Sequence, residues 1–223
     1  MSYLSHSGHN HMVLVVGVDG SGKSTFLANV EERYGAEIVE PTSSPEMKAF
    51  KSRIEGEPVT PELITEREEL FLEYNTSFAD RLTRSESPFI ATTGNSLVTL
   101  ISHGLMRSIV SGYSLENMVS DSIERWRGAK EQVPDELILV KAPSRVILQR
   151  IRERQNQGQH DEAFGGFNSP HFLTHYQGLW GQLAAMGSES LGVPTLSLDS
   201  NQLSPNEMIN VYSRFHAELS EEV

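Results

Sequence analysis

Residues 12–25 read Met12-Val13-Leu14-Val15-Val16-Gly17-Val18-Asp19-Gly20-Ser21-Gly22-Lys23-Ser24-Thr25: an apolar run that enters a complete G-x-x-x-x-G-K-[ST] loop. The run predicts a buried strand, and Phe26 to Tyr34 leaves the loop with helical spacing. Glycines at 17, 20 and 22 let the backbone turn through positive φ, so that successive N–H groups face one concavity. The helix that follows adds the positive end of its dipole. Gly17, Gly20, Ser21, Gly22, Lys23, Ser24 and Thr25 are the expected phosphate contacts. Lys23 reaches β- and γ-phosphates, and the Ser24 hydroxyl holds Mg²⁺. The loop therefore predicts binding of ATP with Mg²⁺.

Outward from this loop, strand-like and helix-like segments alternate. Strands are expected at 12–17, 37–40, 88–93, 136–141 and 195–198, and helices at 22–34, 61–83, 96–110, 115–130, 144–155, 170–186 and 205–219. Such alternation predicts an α/β fold, with a five-stranded, mostly parallel sheet flanked by helices. Thr60-Pro61-Glu62 and Ser204-Pro205-Asn206-Glu207 carry helix-start chemistry: a capping hydroxyl, a proline at the first turn and an early carboxylate. The least regular stretches are 40–45 and 155–169, where functional loops fall in this fold class.

With 223 residues the chain is long enough for one well-filled domain, expected over 12–223. Eighteen basic against 30 acidic residues give a net charge of −12, which removes any overall electrostatic case for duplex DNA. There is no cysteine, hence no disulfide, thiolate metal site or cysteine nucleophile, as suits a reducing cytoplasm. No apolar stretch approaches 18 residues, so no membrane partner is expected, while a homodimer stays open. Residues 1–11, rich in Ser, His, Gly and Asn, read as a disordered tail in which His6, His9 and His11 bind at most a stray metal.

The chain resembles the thymidylate kinase and deoxynucleoside kinase superfamily over most of residues 12–217. The phosphate loop with Asp19 is similar to that family's, as is Glu40-Pro41 after the second strand. Asp135 to Gln155 resembles the fourth strand, the helix after it and an arginine-rich lid entry. His171 to Ala184 resembles the helix beyond the lid, and Asp199-Ser200-Asn201-Gln202 the turn near the adenine. The resemblance implies a P-loop kinase with a lid at about 155–169, whose Arg150 and Arg154 brace the transferred phosphate. It also points to viral relatives that phosphorylate 5-hydroxymethyluracil in DNA.

Two departures stand out. That family ends its third strand with Asp-Arg or Glu-Arg, where this chain has Ala91-Thr92-Thr93-Gly94-Asn95-Ser96. Val39 stands where thymidylate kinases usually carry an arginine before Glu-Pro. A dianionic monophosphate acceptor needs bidentate guanidinium forks, and two expected ones are missing.

Several residues carry two readings. Glu40, at the carboxyl end of a strand, is placed to accept the proton of an attacking hydroxyl, or is a solvated strand-end glutamate. Asp19 orients an acceptor hydroxyl or metal-bound water, or stabilises the loop as a turn former. Arg150 and Arg154 share a helix face that Arg152 does not. Asp161 and Glu162 resemble the acidic part of a lid or belong to a plain polar loop. Phe71 and Phe78 read as core, Tyr74 stays open, and Arg81 is the first place to seek an acceptor-side cation. Trp126 and Trp180 read as packing. His103, His160, His171, His175 and His216 show no metal-ligand spacing, and no structural metal is assigned.

Three functions compete. One is a kinase moving the γ-phosphoryl group of ATP to a small deoxynucleotide or nucleoside acceptor. The second acts on the hydroxyl of 5-hydroxymethyluracil in DNA, with modified DNA as partner. The third is a non-catalytic nucleotide-binding protein.

Overall fold

A computed structural model describes residues 10–39, 45–54, 60–94, 96–112, 114–128, 133–157, 170–186, 189 and 191–221. Five strands, β1 (His11–Val16), β2 (Glu37–Ile38), β3 (Phe89–Thr92), β4 (Glu136–Lys141) and β5 (Thr195–Asp199), form one sheet in the order β2-β3-β1-β4-β5, with every pairing parallel. Among the described residues eight α-helices accompany them: α1 (Lys23–Tyr34), α2 (Pro45–Ile54), α3 (Pro61–Arg84), α4 (Ser96–Ser111), α5 (Leu115–Gly128), α6 (Ser144–Asn156), α7 (Pro170–Met186) and α8 (Pro205–Glu221).

The strands alternate with period two, and each parity feeds one face of the sheet. Leu14 and Val16 of β1 join Leu137 and Leu139 of β4 in a core with Ile101, Ile147, Leu179 and Trp180. Val13, Val15, Ile138 and Val140 point the other way, onto Phe26, Met208 and Tyr212 of α1 and α8. Burial on both faces explains why the strands read as continuous apolar runs. Trp126 and Trp180 are both fully packed, as expected.

The expected helix starts form. Thr60 Oγ1 accepts from the N–H of Leu63 at 3.3 Å, and the N–H of Ser204 donates to Glu207 Oε2 at 2.8 Å. Helix α2 was not among the expected helices, although Pro45-Glu46 at its start repeats the same device. Order also begins earlier than expected at the head. Asn10 Nδ2 donates to Ser85 O at 2.7 Å and His11 opens β1 against Phe89, so the tail reading fails for these two residues; 1–9 lie outside the described residues. Among the described residues no helix is long and apolar enough to cross a membrane.

Candidate active site

The loop leaves β1 at the carboxyl edge of the sheet, and its three glycines take positive φ: 145° at Gly17, 82° at Gly20 and 106° at Gly22. At Gly17 the requirement is also steric, since a Cβ there would lie 2.2 Å from Val140 O and 2.9 Å from Ser21 Oγ. The chain thus passes so close to β4 that only glycine fits. Helix α1 starts at Lys23 without a side-chain cap, which leaves its first-turn N–H groups directed at the concavity.

Lys23 bends back over the loop. Its Nζ donates to Gly17 O at 2.8 Å and Val18 O at 3.0 Å, and pairs with Asp19 Oδ1 at 3.4 Å. Two carbonyls and a carboxylate solvate the ammonium in the place where phosphate oxygens would take over. Ser24 and Thr25 are exposed at the helix start, whereas Ser21 is buried, with its Oγ making no hydrogen bond among the described residues. A glycine cradle, an uncapped helix start, a lysine and an open hydroxyl fit a triphosphate with Mg²⁺.

Helix α6 closes one side. Arg150 Nη1 donates to Gly20 O at 3.0 Å and Ser200 Oγ at 2.9 Å, while Nη2 donates to Ser200 O at 3.1 Å. The arginine therefore ties the phosphate loop to the turn after β5. One turn on, Arg154 lies against the loop, its Nη2 3.4 Å from where a Cβ on Gly20 would sit. Arg152 is exposed on another face. The glycine at position 20 leaves the space that this second guanidinium fills.

Helices α3 and α4 hold a further cation whose charge reaches Asp19, one that sequence reasoning missed. Arg67 is almost fully buried, stacks on the Phe71 ring at 4.5 Å and donates through Nη1 to His103 Nε2 at 2.9 Å. His103 Nδ1 meets Thr99 O at 2.7 Å, and burial together with Arg67 pushes its pKa down to about 3, so the ring is neutral. Beside it Glu68 is clamped by Arg107 at 2.6 Å and Arg125 at 2.9 Å. Asp19 feels both flanks. Lys23 above all, then Arg154 and Arg67, hold its carboxyl below the usual range.

Arg81 sits about 21 Å further along α3, at 1.5 Å per residue. Because α3 runs from the carboxyl edge of the sheet back to the start of β3, this position lies at the wrong end for the site. The only sequence signal favouring Arg67 was its place in the first turns of that helix. Val39 is buried against Met12, Leu82 and Ile90, which explains its apolar character. Thr92, at the missing Asp-Arg position, exchanges hydrogen bonds with Gly94 at 3.1 and 3.2 Å and closes a tight turn. Phe71 is half-buried beneath Arg67 rather than in either core. Glu40, Pro41, Asn95, His160, Asp161, Glu162 and nearly all of the 155–169 lid lie outside the described residues, as do the side chains of Tyr74, Phe78 and His171.

A family model described as "AAA domain" matches residues 12–166. No curated protein sequence matches the chain. Among solved structures, deoxyadenosine kinase from M. mycoides, with products dCMP and a flexible dCDP bound, superposes with a TM-score of 0.67 at 15% identity, covering 93% of this chain and 99% of that one. Its dATP-bound form gives 0.65 at 14% identity, over 91% and 97%. Thymidylate kinase from Candida albicans gives 0.65 at 11% identity, over 94% and 92%. At these identities the likeness shows the fold alone, which this chain shares with those kinases.

Proposed function

The chain belongs to the AAA domain family, and from that premise we propose that it moves the γ-phosphoryl group of ATP onto a nucleotide- or nucleoside-type acceptor. One observation carries the reading: Lys23 rests on the carbonyls of its own glycine loop, Arg150 of α6 is tied to that loop, and the charges of Arg154 and Arg67 reach Asp19. ATP with Mg²⁺, when bound, supplies the group to be transferred. Lys23 would exchange Gly17 O and Val18 O for phosphate oxygens, and the Ser24 hydroxyl would hold the metal. Arg154 would offset charge on the transferred phosphate, whereas Arg150 holds the loop to the turn after β5.

On the acceptor side, Asp19 is kept ionised by Lys23 and is free to orient a hydroxyl, since its side chain is 78% exposed. Arg67, stacked on Phe71 and backed by neutral His103, offers the cation that the absent Asp-Arg motif would otherwise bring. One rigid guanidinium suits a nucleoside or a single phosphate better than a two-arginine clamp would. A hydroxyl of 5-hydroxymethyluracil in DNA is the second reading, favoured by the absence of that clamp.

Radiolabelled ATP, offered with thymidine, deoxyadenosine, thymidine monophosphate or 5-hydroxymethyluracil-containing DNA, separates these readings. Label is expected on one of the small acceptors, and Lys23→Ala should reduce transfer on the order of a hundredfold or more. Transfer by Lys23→Ala at the wild-type rate under saturating ATP would refute the site. Label on polymer alone selects the DNA reading. Tight ATP binding with no transfer selects a non-catalytic nucleotide-binding protein.

A further inference from the structure

At the amino edge of the sheet, opposite the phosphate loop, three residues far apart in sequence converge. His11 begins β1, Glu136 begins β4, and His216 lies in the later turns of α8. His11 Nε2 is 3.0 Å from Glu136 Oε1, and His216 Nδ1 contacts the same oxygen. One ligand atom from each residue falls within 4.8 Å of the other two.

As a hydrogen-bonded triad this arrangement is lopsided. Both imidazoles must direct a proton at one carboxylate oxygen, while Glu136 Oε2, on a side chain 1% exposed, has no hydrogen-bond partner among the described residues. A buried carboxylate oxygen left in that state is destabilising, the more so when charged. A divalent cation between the three residues removes the conflict. It takes a lone pair from each imidazole, engages the carboxylate and displaces the two inward protons.

The surroundings are those of a metal site. Asp135 Oδ2 lies 3.9 Å behind His11 Nδ1, held there by the N–H of Met12 at 2.7 Å, and so favours the tautomer whose Nε2 lone pair faces inward. Phe89 lies 5.0 Å from the His11 ring, and Tyr34 and Tyr212 lie 5.5 and 5.8 Å from that of His216. These rings keep the centre dry. His216 is 6% exposed and His11 29%, so among the described residues the His11 side is the more open to an ion. Two nitrogens and one oxygen suit Zn²⁺, with bonds of about 2.0–2.2 Å, and do not suit Mg²⁺ or Ca²⁺, which take oxygen ligands.

We propose that His11, Glu136 and His216 form a zinc-type site that fastens the start of β1 and the end of α8 to the amino edge of the sheet. The site is separate from nucleotide binding and stands whether or not the kinase reading does.

The test uses the full chain stripped with EDTA, with Zn²⁺ and Co²⁺ as probes and no nucleotide. One equivalent of Co²⁺ should give the visible absorption of a tetrahedral centre. Zn²⁺ at a hundredfold excess over Kd should raise Tm by about 5–10 °C. His11→Gln, at the accessible side, should abolish both signals and leave ATP binding unchanged, and Glu136→Gln should weaken them. A variant with His6→Gln and His9→Gln should keep both. Wild-type protein that shows neither signal overturns the proposal. So does His11→Gln that binds as well as wild type, or a double tail variant that loses binding, because the ion then sits in the head.

Discussion

The pairing of Arg67 with His103 depends on a ring that stays neutral, with Nδ1–H donating to Thr99 O and the Nε2 lone pair accepting from the guanidinium. Protonation would turn that acceptor into a second donor facing Arg67. Arg107 and Arg125 add further positive charge nearby, and the Glu68 carboxylate is already engaged by both. The sign of the linkage follows. His103 titrates near 6.5 when unfolded and at about 3 when folded, so below 6.5 the unfolded chain binds the extra proton and stability falls with pH. At pH 5 the loss from this residue is about 2 kcal/mol relative to neutral pH. Urea denaturation at pH 7 and pH 5 should therefore show a steeper loss in wild type than in His103→Gln. Equal losses would mean that the ring is protonated in the fold and that Arg67 is held by something else.

Among the elements, α6 does the most to shape the site. Arg150 bridges two pieces of chain, Gly20–Ser21 and Ser200, while Arg154 occupies the space above Gly20. Arg150→Ala should weaken ATP binding by about tenfold, because a charge-assisted network is lost, while kcat falls less. Arg154→Ala should do the reverse. Calorimetry of ATP binding beside steady-state rates distinguishes the two; a pure kcat effect for Arg150→Ala would place it at the transferred phosphate. The sequence showed that the two arginines share a helix face, since 3.6-residue periodicity is local. It did not show that Arg150 would be occupied by carbonyls, because Gly20 and Ser200 lie far from it in sequence and reach it only through the tertiary fold. Helix α2 escaped notice for a different reason: the irregular look of 40–45 outweighed the Pro45-Glu46 start.

For the whole molecule, the parallel sheet sorts chemistry by its two edges. Strand alternation and burial were legible because each strand carries its own apolar pattern, and so was the phosphate loop, which is contiguous. Whatever depends on distant strands meeting was not legible. Arg67 beside Asp19, and His11, Glu136 and His216 at one point, are consequences of strand order, and no local spacing encodes them. The same limit hid the role of Val39, whose apolar side chain is explained by Met12, Leu82 and Ile90.

Gly17 draws sheet and loop together. With Val140 O 2.2 Å from any Cβ and φ at 145°, a side chain there forces β1 from β4 as well as straining the backbone. Each effect costs about 1–3 kcal/mol. Mutational tolerance should therefore divide between two positions of the same loop, Gly17 and Lys23. In a pooled variant library scored once for abundance in cells and once for phosphotransfer, Gly17 substitutions should drop out of both screens. Lys23 substitutions should drop out of the second alone. The first glycine of the loop is then required by folding before any demand of ligand binding, and an abundant, inactive Gly17→Ala protein would reverse that order.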